Sequence, residues 1–573
     1  MLTVQIQKRI QQNRNKEWQG KLAKITKVDN TLWQTYKLVG GTKDTIPVLL
    51  DPDSDSVSYT DQEKADAFAT FFAGIHDRAY NARSPLDEQI QGSVNQHPEQ
   101  TKADSSIAPH TAVSPQLIRN IIRKLPGRKA PGPDKITTTQ LKNLPGKAIV
   151  QIYYIIKSCL HISYFPDSWK TAKIIPVPKP GKSKNSLHSY RPISLLNSLS
   201  KVFEKVILIQ LLKHLNKHNI LIPQQFGFRE GHSCIHQLLR VTEFAIIEHN
   251  KNRCTQLVLL DIAKAFDSVW HDALIYKMHK INTPQHITRI IRSYLSNRNM
   301  FVSVKGTNSR LKYIKAGVPQ GSILGPLLYN IYTNDIPLSS RTHLAIYADD
   351  TAIYTSSWNP SQATKYLQEH LNDILEYFLN WKLAVNPAKT QAITFTRKKL
   401  DLSKKVKILG HQVPWTNKVK YLGVTLDSRL AWAPAIEART RLAYPALRKI
   451  YPLISRNSKL RKEIKVTLYK VCIRPVITYG HQVWAAAAKS HIQKTQRVQN
   501  KFLRIILNKA RGTSINKLHE LANIQPIGDY IAQSTSRTYN HLHTNPLISN
   551  TGNYNVQELP LKIKIKLPKH ATT

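Results

Sequence analysis

Cysteine is scarce in this 573-residue chain: the four residues Cys159, Cys234, Cys254 and Cys472 lie far apart and never form a Cys-x-x-Cys pair. That distribution argues against a disulfide framework or a local zinc finger and fits a reducing compartment. Long apolar runs are missing too. Lys, Arg, Asp or His breaks every apolar stretch before it nears the ~18 residues a membrane helix needs, so no membrane partner is expected. The N-terminus, Met1-Leu2-Thr3-Val4-Gln5, lacks the basic-then-apolar pattern of a secretory signal. These absences point to a soluble intracellular protein. Acidic residues are few: 36 Asp plus Glu stand against 83 Lys plus Arg, a formal net charge of +47. Such an excess repels itself unless a polyanion binds it, and nucleic acid is the commonest one. Charge names a partner here and not an activity, since a basic ribosomal or chromatin protein shows the same imbalance.

What is present describes a globular chain, with 41% hydrophobic and 21% charged residues and length enough for several domains. The first ~45 residues are basic and Gln-rich, with apolar residues too sparse for a core of their own. After the acidic, Ser-rich run Asp51–Ser56, a helix is expected from Asp61 to Ile75. Residues Pro85 to Pro115 are polar and turn-rich and read as a linker. Ser114-Pro115 then caps an amphipathic helix carrying Leu117, Ile118, Ile121, Ile122 and Leu125. Residues 126–134, ending Ala130-Pro131-Gly132-Pro133-Asp134, form a rigid turn. Beyond a helix near 147–163, short β-rich runs alternate with helices as far as Leu426. Leu257–Leu260, Leu344–Tyr347, Ala352–Thr355 and Ile393–Phe395 read as strands, and 201–215, 284–297 and 361–381 have helical period. Pro434 to Ile506 is helical and basic, and the end of the chain, with Lys562, Lys564, Lys566 and Lys569, reads as a frayed basic tail.

One pair of acids stands out. Leu344-Ala345-Ile346-Tyr347-Ala348-Asp349-Asp350-Thr351-Ala352-Ile353-Tyr354 is two apolar half-strands interrupted by adjacent aspartates, which are poor strand formers and repel each other. Such a local conflict marks either a functional site or a plain hairpin turn. A third acid weighs toward the first reading, because Gln256-Leu257-Val258-Leu259-Leu260-Asp261 is an apolar strand that ends in Asp. Together the three could hold divalent cations on one sheet surface, with oxygen ligands of the kind Mg²⁺ prefers. Asp267, a few residues on, is expected to cap a helix beginning near Ser268. Between the acids, Gly317-Val318-Pro319-Gln320-Gly321-Ser322-Ile323-Leu324-Gly325-Pro326 makes a tight loop before an apolar helix at 327–335. Such a loop lets backbone approach a base or sugar closely, or is simply a structural turn.

Asp261 with Phe266, Pro319-Gln320-Gly321-Ser322 and Tyr347-Ala348-Asp349-Asp350, in that order, resemble motifs A, B and C of reverse transcriptases. Flanking stretches resemble the polymerases of jockey-like, LINE-type non-LTR retrotransposons. They are Lys129-Ala130-Pro131-Gly132-Pro133-Asp134, Ile175-Pro176-Val177-Pro178-Lys179-Pro180-Gly181-Lys182, Tyr190-Arg191-Pro192-Ile193-Ser194 and Gln225-Phe226-Gly227-Phe228-Arg229. Asn386-Pro387-Ala388-Lys389-Thr390, Tyr421-Leu422-Gly423-Val424 and Tyr479-Gly480…Trp484 extend the match, which runs from about residue 60 to 545.

The resemblance implies an α+β, right-hand polymerase fold of fingers, palm and thumb, with an antiparallel palm sheet and a helical thumb. Its divisions would be a basic N-terminal region and linker (1–100), an extension of the fingers (101–157), fingers and palm (158–427), thumb (428–515) and a basic C-terminal region (516–573). It implies RNA-directed DNA synthesis from an RNA template, a DNA primer or target DNA, and dNTPs. The cofactor would be two Mg²⁺ ions, with Mn²⁺ as a substitute. Asp261, Asp349 and Asp350 would be the metal-binding acids, joined by the backbone carbonyl of Ile262. Lys179 and Arg191 would reach the incoming triphosphate, with Lys173 and Lys182 competing for the role. Gln320 and Gly321 would line the nucleotide pocket, and Lys389 would donate a proton to pyrophosphate. Phe266, five residues after Asp261, is placed to exclude a ribose 2′-hydroxyl, which argues against an RNA-dependent RNA polymerase. Arg456, Lys459, Arg461, Lys462 and Lys465 are candidates for contact with the nucleic-acid backbone.

This sequence departs from the pattern at Ala263, where Glu is common, and at Ala273, where Gly is usual. No endonuclease domain is expected within these residues, so the chain reads as the polymerase-containing piece of a longer element product. Its expected setting is a cytoplasmic ribonucleoprotein and the nucleus. The competing reading is a catalytically silent, nucleic-acid-binding remnant of such an element, against which the three intact acids speak.

Overall fold

The Cys254–Ala263 strand is the axis of the computed structural model, which describes residues 2–25, 31–40, 46–51, 56–96, 113–398 and 402–544. Its side chains alternate between two cores, as a strand buried on both faces requires. Val258, Leu260 and Ile262 join Leu367, Leu371 and Ile374 of the Pro360–Asn380 helix, while Leu257 joins Leu238 and Leu239 of the Cys234–Asn250 helix. The sheet around it runs in the order Trp415–Thr416, Gln391–Phe395, Cys254–Ala263, Asp350–Ser357, His343–Tyr347, and Ala384–Val385 pairs with the end of the central strand. Pairing is antiparallel except at Trp415–Thr416. All four strands expected from the sequence fall inside it.

A second sheet, Tyr190–Leu195, Ala172–Pro178, Arg298–Val304 and Thr307–Asn308, with Lys312–Ile314 on Arg298–Val304, lies under the helix Asp61–Asn81. That helix starts where the sequence places it, on a Thr60–Glu63 capping box, and runs beyond Ile75 to Asn81. Phe68 and Phe72, one helical turn apart, are buried against Ala172, Ile174 and Tyr190.

One sequence expectation changes, and another holds with an addition. The stretch read as a linker contains the helix Asp87–Gln96, whose Ile90 and Val94 are buried in the main core beside the His271–Lys280 helix. Two apolar residues one turn apart were enough once a partner face was available; residues 97–112 lie outside the described residues. The N-terminal helices Leu2–Ala23 and Thr31–Gly40 have no core of their own, as expected, yet their Leu22 and Leu32, with Ile25 just past the first helix, are buried in one core with residues of the Ala433–Ile454 helix.

That C-terminal core collects around the fully buried Trp484 and continues past residue 515 through Leu518, Ile524, Ile527 and Ile531. Lys465 belongs to it. The sequence grouped this lysine with surface charges, but it is buried and its Nζ donates to the carbonyls of Ser455 and Ser458 at 2.9 and 3.0 Å. Arg456, Lys459, Arg461 and Lys462 are exposed. The lysines of the basic tail lie outside the described residues. No helix among the described residues is long and apolar enough to cross a membrane.

The Ile527–Thr544 helix is tied to the Cys234–Asn250 helix by Tyr539, whose hydroxyl donates to Glu243 at 2.9 Å. Burial pushes the Glu243 carboxyl up to about 7 from 4.5. Between those values the folded chain holds a proton that the unfolded chain has released, so stability falls as pH rises through the window. Glu243→Gln cannot ionise. It should melt a few degrees above the parent at about pH 8 and together with it at about pH 4, by thermal melts; coincident curves at both would contradict the assignment.

Candidate active site

The register of the central sheet brings the acids together. Asp350 pairs with Asp261 on one side and with Tyr347 on the other, so Ala348 and Asp349 form a two-residue hairpin turn. Ala348 sits at φ 59°, where a side chain is strained. The stretch Gln225-Phe226-Gly227 holds it there. Gln225 Oε1 accepts from the N–H of Ala348 at 3.0 Å and of Gly227 at 2.7 Å, and the Phe226 N–H donates to the Ile346 carbonyl at 2.9 Å. Gly227 approaches so closely that a Cβ there would lie 2.2 Å from the Ala348 nitrogen. Gly227→Ala should therefore displace the Asp349 turn and reduce turnover by about 10²-fold, because reacting groups tolerate ~1 Å of misplacement poorly. Steady-state kinetics and a melting curve check this; wild-type turnover would show that the turn is not held from this side.

The carboxyls repel one another. Partial burial in the cleft raises Asp350 to about 6, and the charges of Asp349 and Asp261 add to the effect. Burial also raises Asp349, with Asp261 adding to it and Arg191 opposing it. Lys389 offsets part of this charge, its Nζ lying 3.1 Å from Asp261 Oδ2. Ile262 follows Asp261 with a buried side chain, in register with Val385. Lys179 immediately follows the Ala172–Pro178 strand of the second sheet. Its Nζ donates to the His188 carbonyl at 2.8 Å, and its pKa is lowered first by burial and then by the positive charges of Lys389 and Arg191. Lys179, Arg191 and Lys389 thus share one electrostatic neighbourhood with Asp349 and Asp261. Lys173 opens onto a separate cavity, with Lys184 and Lys305.

Asp267 is a correction. It was expected to cap a helix near Ser268, but the chain makes a 3₁₀ turn at Ala265–Ser268 and the helix starts only at His271, with no side-chain cap. The turn points the carboxylate inward. It is buried and receives Gln320 Nε2 on both oxygens at 2.9 Å. Gln320 is fixed at its backbone too, its carbonyl accepting from the Ser194 N–H at 2.8 Å. Gly321, at φ 129°, packs against the Ser194 carbonyl with no room for a Cβ. Phe266 is half-buried, stacked on Tyr329 with ring centroids 4.9 Å apart and edge-on to Phe228 at 6.0 Å. Sequence reasoning missed Glu204, which is buried and accepts from the N–H groups of Ile323 (2.7 Å) and Leu324 (3.3 Å) where the Gln320 loop enters its helix. The signal was there: an acid amid Val202, Phe203, Val206 and Ile207 of an apolar helix face.

Residues 177–426, which span all of these acids, match the family of reverse transcriptases (RNA-dependent DNA polymerases). The chain is 35% identical over 489 residues to the probable RNA-directed DNA polymerase from transposon BS of Drosophila melanogaster, covering 83% of this chain and 53% of that protein. It is 35% identical over 446 residues to the RNA-directed DNA polymerase from mobile element jockey of the same fly, covering 76% and 48%. For the probable RNA-directed DNA polymerase from transposon X-element, also of that fly, the identity is 35% over 498 residues, covering 86% and 54%. The chain spans about half the length of these curated relatives. Residues 177–426 thus match a reverse transcriptase domain, and over most of its length the chain is similar to RNA-directed DNA polymerases of non-LTR retrotransposons, jockey among them.

Proposed function

We propose that the chain extends the 3′-hydroxyl of a DNA primer with dNTPs, reading an RNA template. The observation that carries this is the pairing of Asp350 with Asp261 and the turn that sets Asp349 beside them, within electrostatic reach of Arg191. In this reading the Cys254–Ala263 sheet is the palm, the sheet under Asp61–Asn81 belongs to the fingers, and the helices from Ala433 onward form the thumb.

Among the described residues no three acidic, His or Cys side chains form a ready-made metal cluster. A site completed by substrate needs none, since Mg²⁺ is commonly held by one or two carboxylates together with phosphate oxygens. Asp261, Asp349 and Asp350 offer hard oxygen ligands only, and their mutual repulsion is what a bound cation relieves. With the Ile262 carbonyl they would hold two Mg²⁺ ions, or Mn²⁺ in their place, which supply a more acidic 3′-hydroxyl and charge neutralisation on the phosphates. The primer 3′-hydroxyl releases its proton to solvent as its oxygen bonds the α-phosphorus, and the bond from that phosphorus to pyrophosphate breaks. Lys179 and Arg191 bind the triphosphate, and Lys389 gives a proton to the departing pyrophosphate. Gln320, held by Asp267, and Gly321 shape the floor of the nucleotide site, and Phe266 lies against the sugar.

The test is pyrophosphate release. One pyrophosphate should appear per nucleotide added, and only with the dNTP complementary to the template base. Release that ignores the template base would contradict the reading. The exposed Lys459, Arg461 and Lys462 are proposed backbone contacts. Neutralising all three should shallow the log–log salt slope of primer–template binding by roughly 2, and an unchanged slope would place the contacts elsewhere.

A further inference from the structure

Asp261 and Asp350 lie at one end of their strands; at the opposite end Cys254 pairs with Ser357, and Thr255 with Phe395. The run from Cys254 to Asp261 places that end on the order of 23 Å from the acids. Trp358 follows Ser357 there. The next residue, Asn359, caps the Pro360–Asn380 helix, its side chain accepting from the Ser361 N–H at 2.9 Å. An apolar residue before such a cap commonly packs on the first turn of its helix as a hydrophobic staple. Trp358 is instead 64% exposed, and the Arg253 guanidinium lies over its ring, 5.2 Å from the centroid. Tryptophan is a residue that folding ordinarily covers.

Arg253 is held in place. It pairs with Glu248 at 3.1 Å, and Glu248, itself buried, also takes Lys251 at 2.9 Å and the Ser356 hydroxyl at 2.6 Å. More cations border this corner. The Lys398 Nζ reaches the Asn252 carbonyl at 3.5 Å, and Arg397 and Arg429 line one small pocket with His249. Burial lowers the His249 pKa, and the charges of Arg397 and Lys398 lower it further. Lys251, Arg397, Lys398 and Arg429 are exposed. Asp427, the acid beside Arg429, is buried and accepts from the N–H groups of Ala431 and Trp432. Lys251, Arg253, Arg397, Lys398 and Arg429 thus outnumber Glu248 and Asp427 around an open aromatic ring.

We propose that this corner is a second nucleic-acid site, where an unpaired base of a single strand stacks on Trp358 beside Arg253 and the flanking phosphates lie on Arg397, Lys398 and Arg429. Stacking on an exposed indole needs a base free of a duplex, and the surrounding cations suit a polyanion. The ligand chemistry is a π-face between phosphodiesters, which RNA and DNA strands share. The site stands apart from Asp261, Asp349 and Asp350 and does not depend on the polymerase reading.

The experiment titrates short fluorescein-labelled oligouridylate and oligothymidylate into the full chain, with a primer–template hybrid in excess to fill the cleft beside the acids. Trp358→Ala should weaken binding about tenfold at an unchanged melting temperature, while Trp358→Phe should keep most of the affinity. Replacing Arg397, Lys398 and Arg429 together by Gln should shallow the log–log salt slope by roughly 2. An oligouridylate carrying 5-iodouridine should photocrosslink to Trp358 in the wild type. Equal affinity for the two oligomers would support a site for either strand, and a preference would name the strand as RNA or DNA. Wild-type affinity in Trp358→Ala with no crosslink at Trp358 would overturn the proposal, as would a blunt duplex that competes as well as the single strands. Loss of binding in Trp358→Ala and Trp358→Phe alike, with a lowered melting temperature, would overturn it in favour of a structural role. Primer extension is a separate readout, and Trp358→Ala should retain it.

Discussion

Asp349→Asn should lower primer extension by about 10³-fold or more, roughly 4 kcal/mol of barrier, while primer–template binding stays near the wild-type value. The substitution keeps size and hairpin geometry and removes one negative charge from the group that neutralises cations. Asp349 stands at the tip of its turn and belongs to neither apolar core, so no core packing is lost. Binding rests instead on the large basic excess of the chain and does not need this carboxylate. Rapid-quench extension and a filter-binding titration on the same protein separate the two quantities. Near wild-type extension by Asp349→Asn would remove this residue from the catalytic group.

Phe266→Ala should change which sugar is accepted. The ring stands five residues beyond Asp261, where the chain turns at Lys264 (φ 51°) into the 3₁₀ turn that also carries Asp267. It is half-buried, stacked on Tyr329 and edge-on to Phe228, so one side packs and the rest stays open to a ligand. Removing it should raise the kcat/KM for ribonucleotides relative to deoxynucleotides by on the order of tenfold or more, since repulsion of the 2′-oxygen is lost. The lost ring contacts should cost about 1 kcal/mol of stability. A fully core phenylalanine would instead cost ~3–5 kcal/mol and depress both activities in parallel. An unchanged ratio with a strongly lowered melting temperature would make Phe266 a packing residue.

How far the sequence could be read follows from the range of each interaction. The strand ending in Asp261 and the hairpin at Asp349-Asp350 are local patterns, apolar runs broken by acids, and both stand where that pattern put them. The Asp61–Asn81 helix was legible because its cap and its Phe68–Phe72 stripe lie within the segment itself. Asp267 was misread because helix capping is a local preference, whereas its partner Gln320 lies 53 residues away. Lys465 was misread for a related reason: its charge is visible in the sequence, and the Ser455 and Ser458 carbonyls that bury it are not. The Asp87–Gln96 helix was hidden in a polar segment because two apolar residues make almost no periodic signal. Tyr479 was conspicuous as a motif, yet its contact with Leu422 spans 57 residues and joins two distant elements. Contacts of that span are set by the topology of the sheet and the helical region.

The most direct measurement is extension of a labelled DNA primer by the purified chain on a heteropolymeric RNA template with four dNTPs and Mg²⁺, followed by sequencing of the product. The expected product is DNA complementary to the RNA up to its 5′ end. A primer that stays unextended with Mg²⁺ and with Mn²⁺, or one that grows without regard to the template sequence, would contradict an RNA-directed DNA polymerase.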